Sequence, residues 1–199
     1  MTESMKYSYF LSLLGIGRNI AMNLFLLIIS DVKAKARWLY GDASFRNLLK
    51  ARLTDGTSAM IRYRWMQWAH RHRLVPLAMV FNKLNVWGGC IIGRGADFGE
   101  GFVLVHSHGV VINTSVKGGR NVVIEHQVTI GAEKGLSPVL GDEVFVGAGA
   151  RILGAIKIGN GAKVGANAVV LEDVPDGATV VGIPAKVVKT SPLICTNPH

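Results

Sequence analysis

With 49% hydrophobic residues and 24 glycines among 199 positions, the chain is suited to one folded domain with an appendage and is too apolar for intrinsic disorder. Its two cysteines, Cys90 and Cys195, fit neither a metal motif nor a disulfide framework, which argues against a disulfide-stapled secreted module and for a reducing, cytoplasmic compartment. A net charge of +9 suits an anionic partner, whether a phosphorylated cofactor, a membrane face or nucleic acid, without choosing among them.

Residues 7–29 form the most apolar stretch, but Arg18, Asn19 and Asn23 interrupt it well short of the roughly 18 to 20 residues needed to span a bilayer. No A-x-A type cleavage site follows, so a helix buried against other helices or another subunit is expected. Peripheral contact with the inner membrane face is the alternative, favoured by Lys33, Lys35 and Arg37. From Asp31 to about Leu84 the pattern stays helical, broken at Gly41-Asp42-Ala43 and Thr54-Asp55-Gly56-Thr57. Asp55 or Thr57 is expected to cap a helix carrying Ile61, Trp65 and Trp68, and Pro76 to start the next, with Leu77, Val80, Phe81 and Leu84 facing inward. The basic cluster Arg62, Arg64, His70, Arg71, His72 and Arg73 reads as the solvated face of that helix; without a recognised motif around it, no nucleic-acid partner is expected.

Beyond the helices an aliphatic or Phe residue recurs every six positions: Ile92, Phe98, Leu104, Val110, Val116, Val122 and Val128, then Leu140, Val146, Ile152, Ile158, Val164 and Val170. Neither a helix of period 3.6 nor a hairpin sheet of period 2 keeps that phase, whereas a parallel β-helix built of hexapeptides does. Three hexads close one triangular coil, stacked coils share a core that no single coil can bury, and residues eighteen apart face each other. The one failing site is Lys134, inside Glu133-Lys134-Gly135-Leu136-Ser137-Pro138, which reads as a loop leaving an otherwise unbroken repeat. The expected organisation is a helical region over 1–85, a β-helix over 86–188 and a tail over 189–199.

Histidines gather beside that loop, in His106-Ser107-His108-Gly109-Val110-Val111-Ile112-Asn113 and Glu125-His126-Gln127-Val128-Thr129-Ile130-Gly131. His108 and His126 are eighteen residues apart and are expected to stack on adjacent coils. These runs, with Val144-Phe145-Val146-Gly147-Ala148-Gly149-Ala150 and Val180-Val181-Gly182-Ile183-Pro184-Ala185-Lys186, resemble the serine acetyltransferase family of hexapeptide acyltransferases, on the side of its exopolysaccharide and colanic acid branch. The resemblance implies a left-handed parallel β-helix and a homotrimer, with a dimer of trimers as a further option. Acetyl-CoA is the implied acyl donor, and no metal is expected. It places His106 as the catalytic base with His126 beside it, His108 and Asn113 toward the acceptor, and Gly131, Ala132, Ala148, Ala166 and Lys186 along the cofactor.

Departures from the family pattern bear on the acceptor. Val105 stands where the family has an acidic residue, Gly135-Leu136-Ser137-Pro138 replaces its Asp-Arg-His run, and Ile91 stands where its histidine-orienting aspartate is expected. A neutral sugar hydroxyl of an exopolysaccharide intermediate therefore fits better than serine, which stays the alternative. Two other readings remain: a zinc lyase of the γ-carbonic anhydrase type, using His106, His108 and His126, and a non-catalytic scaffold.

Overall fold

The computed structural model describes residues 18–191. The first part of the apolar stretch, residues 7–17, and most of the expected tail, residues 192–199, lie outside them. Among the described residues four helices come first: α1 (Arg18–Tyr40), α2 (Phe45–Leu53), α3 (Thr57–Arg71) and α4 (Val75–Trp87). The chain breaks where Gly41 and the Thr54-Asp55-Gly56 turn permit, and α4 opens with Pro76 in its first turn, where a missing N–H costs nothing. None of the described helices is long and apolar enough to cross a membrane.

The faces of these helices differ from expectation. On α4 the side chains turned inward are Ala78 and Asn85, while Leu77, Val80 and Leu84 are exposed; Phe81 is half-buried and stacks on Trp65. On α3 the buried stripe is Tyr63, Arg64, Met66 and Gln67, with Trp65 and Trp68 at its margin. Beside Met60 and Met66, hydrogen-bonded side chains hold innermost positions because α3 lies directly on the first coil of the prism, where the Tyr63 hydroxyl donates to the Ala96 carbonyl.

Strands begin at Ile91, just past the last helical residue, Trp87. Fifteen short strands form three sheets, one per side of the prism: β1 (Ile91–Ile92), β4 (Val111–Ile112), β7 (Thr129–Gly131), β10 (Arg151–Leu153) and β13 (Val169–Val170) on side A. Side B holds β2 (Asp97–Phe98), β5 (Lys117–Gly118), β8 (Val139–Leu140) and β11 (Lys157–Ile158). Side C holds β3 (Val103–Leu104), β6 (Val123–Ile124), β9 (Phe145–Val146), β12 (Lys163–Val164) and β14 (Ala178–Val181). All of these pair in parallel; β15 (Lys186–Thr190) then folds back antiparallel on β14, across the expected boundary at 188. The chain is thus a parallel β-helix with helices at its start.

The register revises the hexad pattern. The columns that stack through the core are Ile92, Ile112, Ile130, Ile152 and Val170 on side A, and Leu104, Ile124, Val146, Val164 and Val180 on side C. On side B, Phe98, Gly118, Leu140 and Ile158 stack, and Gly118 has no Cβ because one would sit 2.2 Å from the Phe98 ring. Val110, Val116, Val122 and Val128 are also fully buried, but they occupy a second inward position two residues before these columns. Two surplus residues leave the repeat between Leu104 and Ile112 and four more between Ile130 and Leu140. Together they make one full hexad, so the apparent phase resumes even though the coil path has shifted twice.

A buried ion pair fastens the helices to the prism. Arg64 on α3 grips Asp31 on α1 with two bonds, Nε to Oδ2 at 2.7 Å and Nη2 to Oδ1 at 2.9 Å, and neither side chain is more than 2% exposed. Arg64 also donates to the Phe98 carbonyl at 2.7 Å and to Gln67, and Asp31 Oδ1 accepts from the Phe102 N–H at 3.0 Å. Far from belonging to a solvated basic face, Arg64 is the largest fully buried side chain in the described residues. Burial pushes the Asp31 carboxyl above the usual carboxylate range, against the pull of Arg64. Side C receives α1 on its outer face: Trp38 stacks on Phe145 at 5.3 Å, and Ala34 packs against Val103, Val105 and Val123.

Breaking one half of the ion pair leaves the other as an uncompensated buried charge. Arg64→Met is expected to cost about 3 to 5 kcal/mol in urea denaturation, and Asp31→Leu added to it to recover most of that loss. A single variant within about 1 kcal/mol of the parent would deny the pair this role.

Candidate active site

The corner between sides C and A carries the chemistry. Here His108, His126, Ala148 and Ala166 stack on successive coils, and His106, in the two-residue surplus just before His108, swings its ring over to His126. Ladder bonds hold the steps: Gln127 N–H donates to the His108 carbonyl at 3.0 Å, Gly149 N–H to that of His126 at 2.9 Å, and Asn167 N–H to that of Ala148 at 2.8 Å. The rings of His106 and His126 meet edge to face, 5.9 Å between centroids and 76° between planes.

His108 and His126 thus stack on adjacent coils as expected, but the ring that meets His126 is that of His106. The two surplus residues lie at this corner of the first coil, so the offset between neighbouring coils is twenty residues at Leu104 and eighteen at Ile112. The same surplus pushes His106 outward, where its side chain is 55% exposed. His108, also exposed, lays its ring against Gly89, where an added Cβ would come within 2.7 Å of Nδ1. The three histidines do not converge on a common point, and among the described residues no cluster of three or more His, Cys, Asp or Glu side chains is placed to hold a metal ion.

A carboxylate from the helical region completes the pair. Asp55, in the turn between α2 and α3, brings Oδ2 to 3.3 Å from His106 Nδ1. Its other oxygen accepts from the Gly56 N–H at 2.7 Å and lies 3.4 Å from the Ser107 hydroxyl. Gly56, not Asp55 or Thr57, is the N-cap residue of α3; it sits at φ +81°, and a Cβ there would strike the Leu104 carbonyl oxygen at 2.5 Å. Partial burial raises the Asp55 carboxyl, but the Gly56 N–H, His106 and Lys35 outweigh it and hold the group below the ordinary carboxylate range.

Beneath the turn lies a buried cation. Lys35 of α1 donates from Nζ to the Leu104 carbonyl at 2.8 Å and to the main-chain carbonyl of Asp55. It is fully enclosed, which removes it from the cations proposed to meet a membrane surface. Burial lowers its ammonium from 10.5 to about 8, while Asp55 and Glu125 oppose that shift. On the other side of the corner His126 Nδ1 has no hydrogen-bond partner among the described residues; Glu125 Oε2 stands 3.7 Å away.

The remaining expected residues are not brought to this corner. Gly131 ends β7 and Ala132 opens the 133–138 loop, both at the far edge of side A. Asn113 lies at the same edge, where its side-chain oxygen accepts from the Ser115 N–H at 3.0 Å and the Ser137 hydroxyl at 3.1 Å, pinning the loop. Lys186 is in β15, 3.6 Å from Glu172 and largely exposed. Sequence reasoning missed Asp55, Lys35 and Glu125. The break at Thr54-Asp55-Gly56 marks the turn, but nothing local signals that it folds onto a coil fifty residues later.

Lys35 also imposes a pH dependence. The unfolded lysine keeps its proton to about 10.5 and the folded one releases it from about 8, so between these values the unfolded state binds more protons. Stability of the parent relative to Lys35→Met is therefore expected to rise with pH across that window, read as the difference in thermal midpoints. A flat difference would show that the ammonium is solvated in the folded state. Taking the difference cancels Cys90, whose thiol burial pushes up to about 12 and which acts in the opposite sense.

A scan for known families matches residues 137–172 to the bacterial transferase hexapeptide (six repeats). The chain is 40% identical over 158 residues to a serine acetyltransferase of Helicobacter pylori, covering 76% of this chain and 92% of that one. It is 41% identical over 133 residues to the serine acetyltransferase of Bacillus subtilis, 61% of each chain. Among solved structures, serine acetyltransferase of Neisseria gonorrhoeae superposes with a TM-score of 0.76 at 32% identity, over 85% of this chain and 66% of that one. The soybean serine acetyltransferase complexed with serine gives 0.70 at 36% identity, over 79% and 67%. None of these relatives supports the expected placement nearest the exopolysaccharide branch. On its sequence, and on a fold shared along most of its length, the chain belongs to the serine acetyltransferase family.

Proposed function

We propose that the chain transfers an acetyl group from acetyl-CoA to the hydroxyl of L-serine, with His106 as the general base. The observation that carries this reading is the half-exposed His106 imidazole at a corner whose next steps are His126 and then two alanines, Ala148 and Ala166. Small side chains suit the pantetheine arm, which needs close approach to strand backbone, and the strip leads to His126 and the His106 ring against it, the group that would act on the acceptor. Gly131 and Ala132 lie across side A from this column, so a groove lined by all four requires the edge of a neighbouring copy; we take the working unit to be a homotrimer. Lys186, exposed on β15, is assigned to the cofactor phosphates.

Chemically the transfer is direct. His106 Nε2, the ring nitrogen turned away from Asp55, takes the hydroxyl proton as the acceptor oxygen attacks the thioester carbonyl. The C–S bond then breaks, the thiolate of coenzyme A leaves, and the proton on His106 passes to it, so the ring ends neutral. His126, partly exposed with its ring against that of His106, is assigned to orient the acceptor, and Glu125 beside it offers the anion that an amino acid's ammonium group requires.

Serine as acceptor rests on the names and bound ligand of the relatives. One feature of this chain favours a sugar hydroxyl instead: the 133–138 loop carries a single basic residue, Lys134, for a substrate carboxylate, and Val105 beside His106 is apolar and buried. Acetyl-CoA consumption against L-serine, simple sugars and nucleotide sugars separates the two. Turnover is expected with serine, and His106→Gln is expected to lower kcat by about 10² to 10⁴-fold with little change in KM for acetyl-CoA. Turnover confined to sugars would replace the acceptor assignment, and an unaltered kcat in His106→Gln would remove the base.

A further inference from the structure

We infer that Asp55 is the positioning residue for His106 and that buried Lys35 fixes the turn presenting it, so the helical region supplies part of the catalytic apparatus. This rests on the reading of His106 as the base.

A base that accepts through Nε2 must carry its own hydrogen on Nδ1, and a neutral imidazole left alone exchanges between the two tautomers. Asp55 Oδ2 faces Nδ1 at 3.3 Å, so a hydrogen there has an acceptor and Nε2 keeps its lone pair. When Nε2 takes the acceptor's proton, the same carboxylate faces the imidazolium. Both side chains are more than half exposed, so the pair works by orientation more than by raw Coulomb energy. The carboxylate is itself oriented, because its second oxygen is held by the Gly56 N–H at 2.7 Å.

Lys35 makes the geometry rigid. One ammonium bonds both the carbonyl of Asp55 and the carbonyl of Leu104, two residues before the histidine, so the turn and the strand carrying His106 share a single anchor. Gly56 admits that approach, since a side chain there would meet both Leu104 O and Lys35 Nζ. From the other side, the Thr57 hydroxyl ties the turn to the Ala51 carbonyl at 2.6 Å. No other carboxylate among the described residues is paired with His106; Glu125 lies against His126, and Ile91 is directed outward on side A.

The test uses the full chain with ¹⁵N-labelled histidine, the His106 signals being assigned from their loss in His106→Gln. Above the ordinary imidazole range the parent is expected to show His106 protonated on Nδ1, and Asp55→Asn to shift it toward the Nε2-protonated tautomer. In turnover, Asp55→Asn is expected to lose about 10- to 100-fold in kcat with KM for acetyl-CoA nearly unchanged, and Asp55→Glu to recover a large part. Lys35→Met should lower kcat in the parent but add little on top of Asp55→Asn, as expected for residues that act as one unit. Should Asp55→Asn fold poorly, Asp55→Glu and Lys35→Met carry the comparison. An unmoved tautomer together with an unchanged kcat in Asp55→Asn overturns the proposal. A tautomer that moves in a chain inert toward every acceptor upholds the positioning contact and overturns the acetyl-transfer reading alone.

Discussion

Everything in the β-helix follows from the requirement that inward aliphatic side chains stack coil upon coil. The side-A column of four isoleucines and Val170, and the matching side-C column, are buried and continuous, so neighbouring coils must return to the same register. A surplus residue cannot be absorbed along a flat side, where it would turn an aliphatic side chain out and a polar one in. It has to leave at a corner. The first coil loses its two surplus residues at the corner between sides C and A, and His106 is what stands out there.

The second constraint is the attachment of the helices. Buried Arg64 and buried Lys35 reach from the helical region to main-chain carbonyls of the first coil, Phe98 and Leu104 respectively. Carbonyl oxygens at the start of a solenoid lack a preceding coil to donate to them, and cations delivered by helices meet that need. Both cations are countered, Arg64 by Asp31 and Lys35 in part by Asp55, which offsets part of the cost of desolvation. The same contacts that seal the end of the prism carry Asp55 to the histidine corner.

Much of the architecture was legible in the sequence because it is periodic. Thirteen apolar positions at one spacing announce a hexapeptide solenoid, and glycine-bearing turns mark the helix breaks. The errors have physical causes. Two insertions of two and four residues sum to the period itself, so Val110 through Val128 kept the count while belonging to a different buried column, and the bulge that carries His106 to His126 left no mark in the spacing. The faces of α3 and α4 were misjudged because large apolar side chains were assumed to point inward, whereas the first coil accepts small side chains and hydrogen-bonding ones such as Tyr63, Arg64 and Gln67. Arg64 and Lys35 read as surface charge because composition carries no sign of an awaiting carbonyl. Asp55 lies 51 residues from His106, and no local pattern links them.

The turn at Thr54-Asp55-Gly56 also bears on modularity. A solenoid invites the view that its repeats are a self-sufficient enzyme and its leading helices a handle for assembly. Cut after Trp87, the repeats would keep both histidines and the alanine strip yet forfeit the carboxylate and the ammonium beneath it. The transplantable unit is therefore larger than the repeat, and grafting this chemistry onto another solenoid would mean carrying α1 through α3 along with the corner they serve.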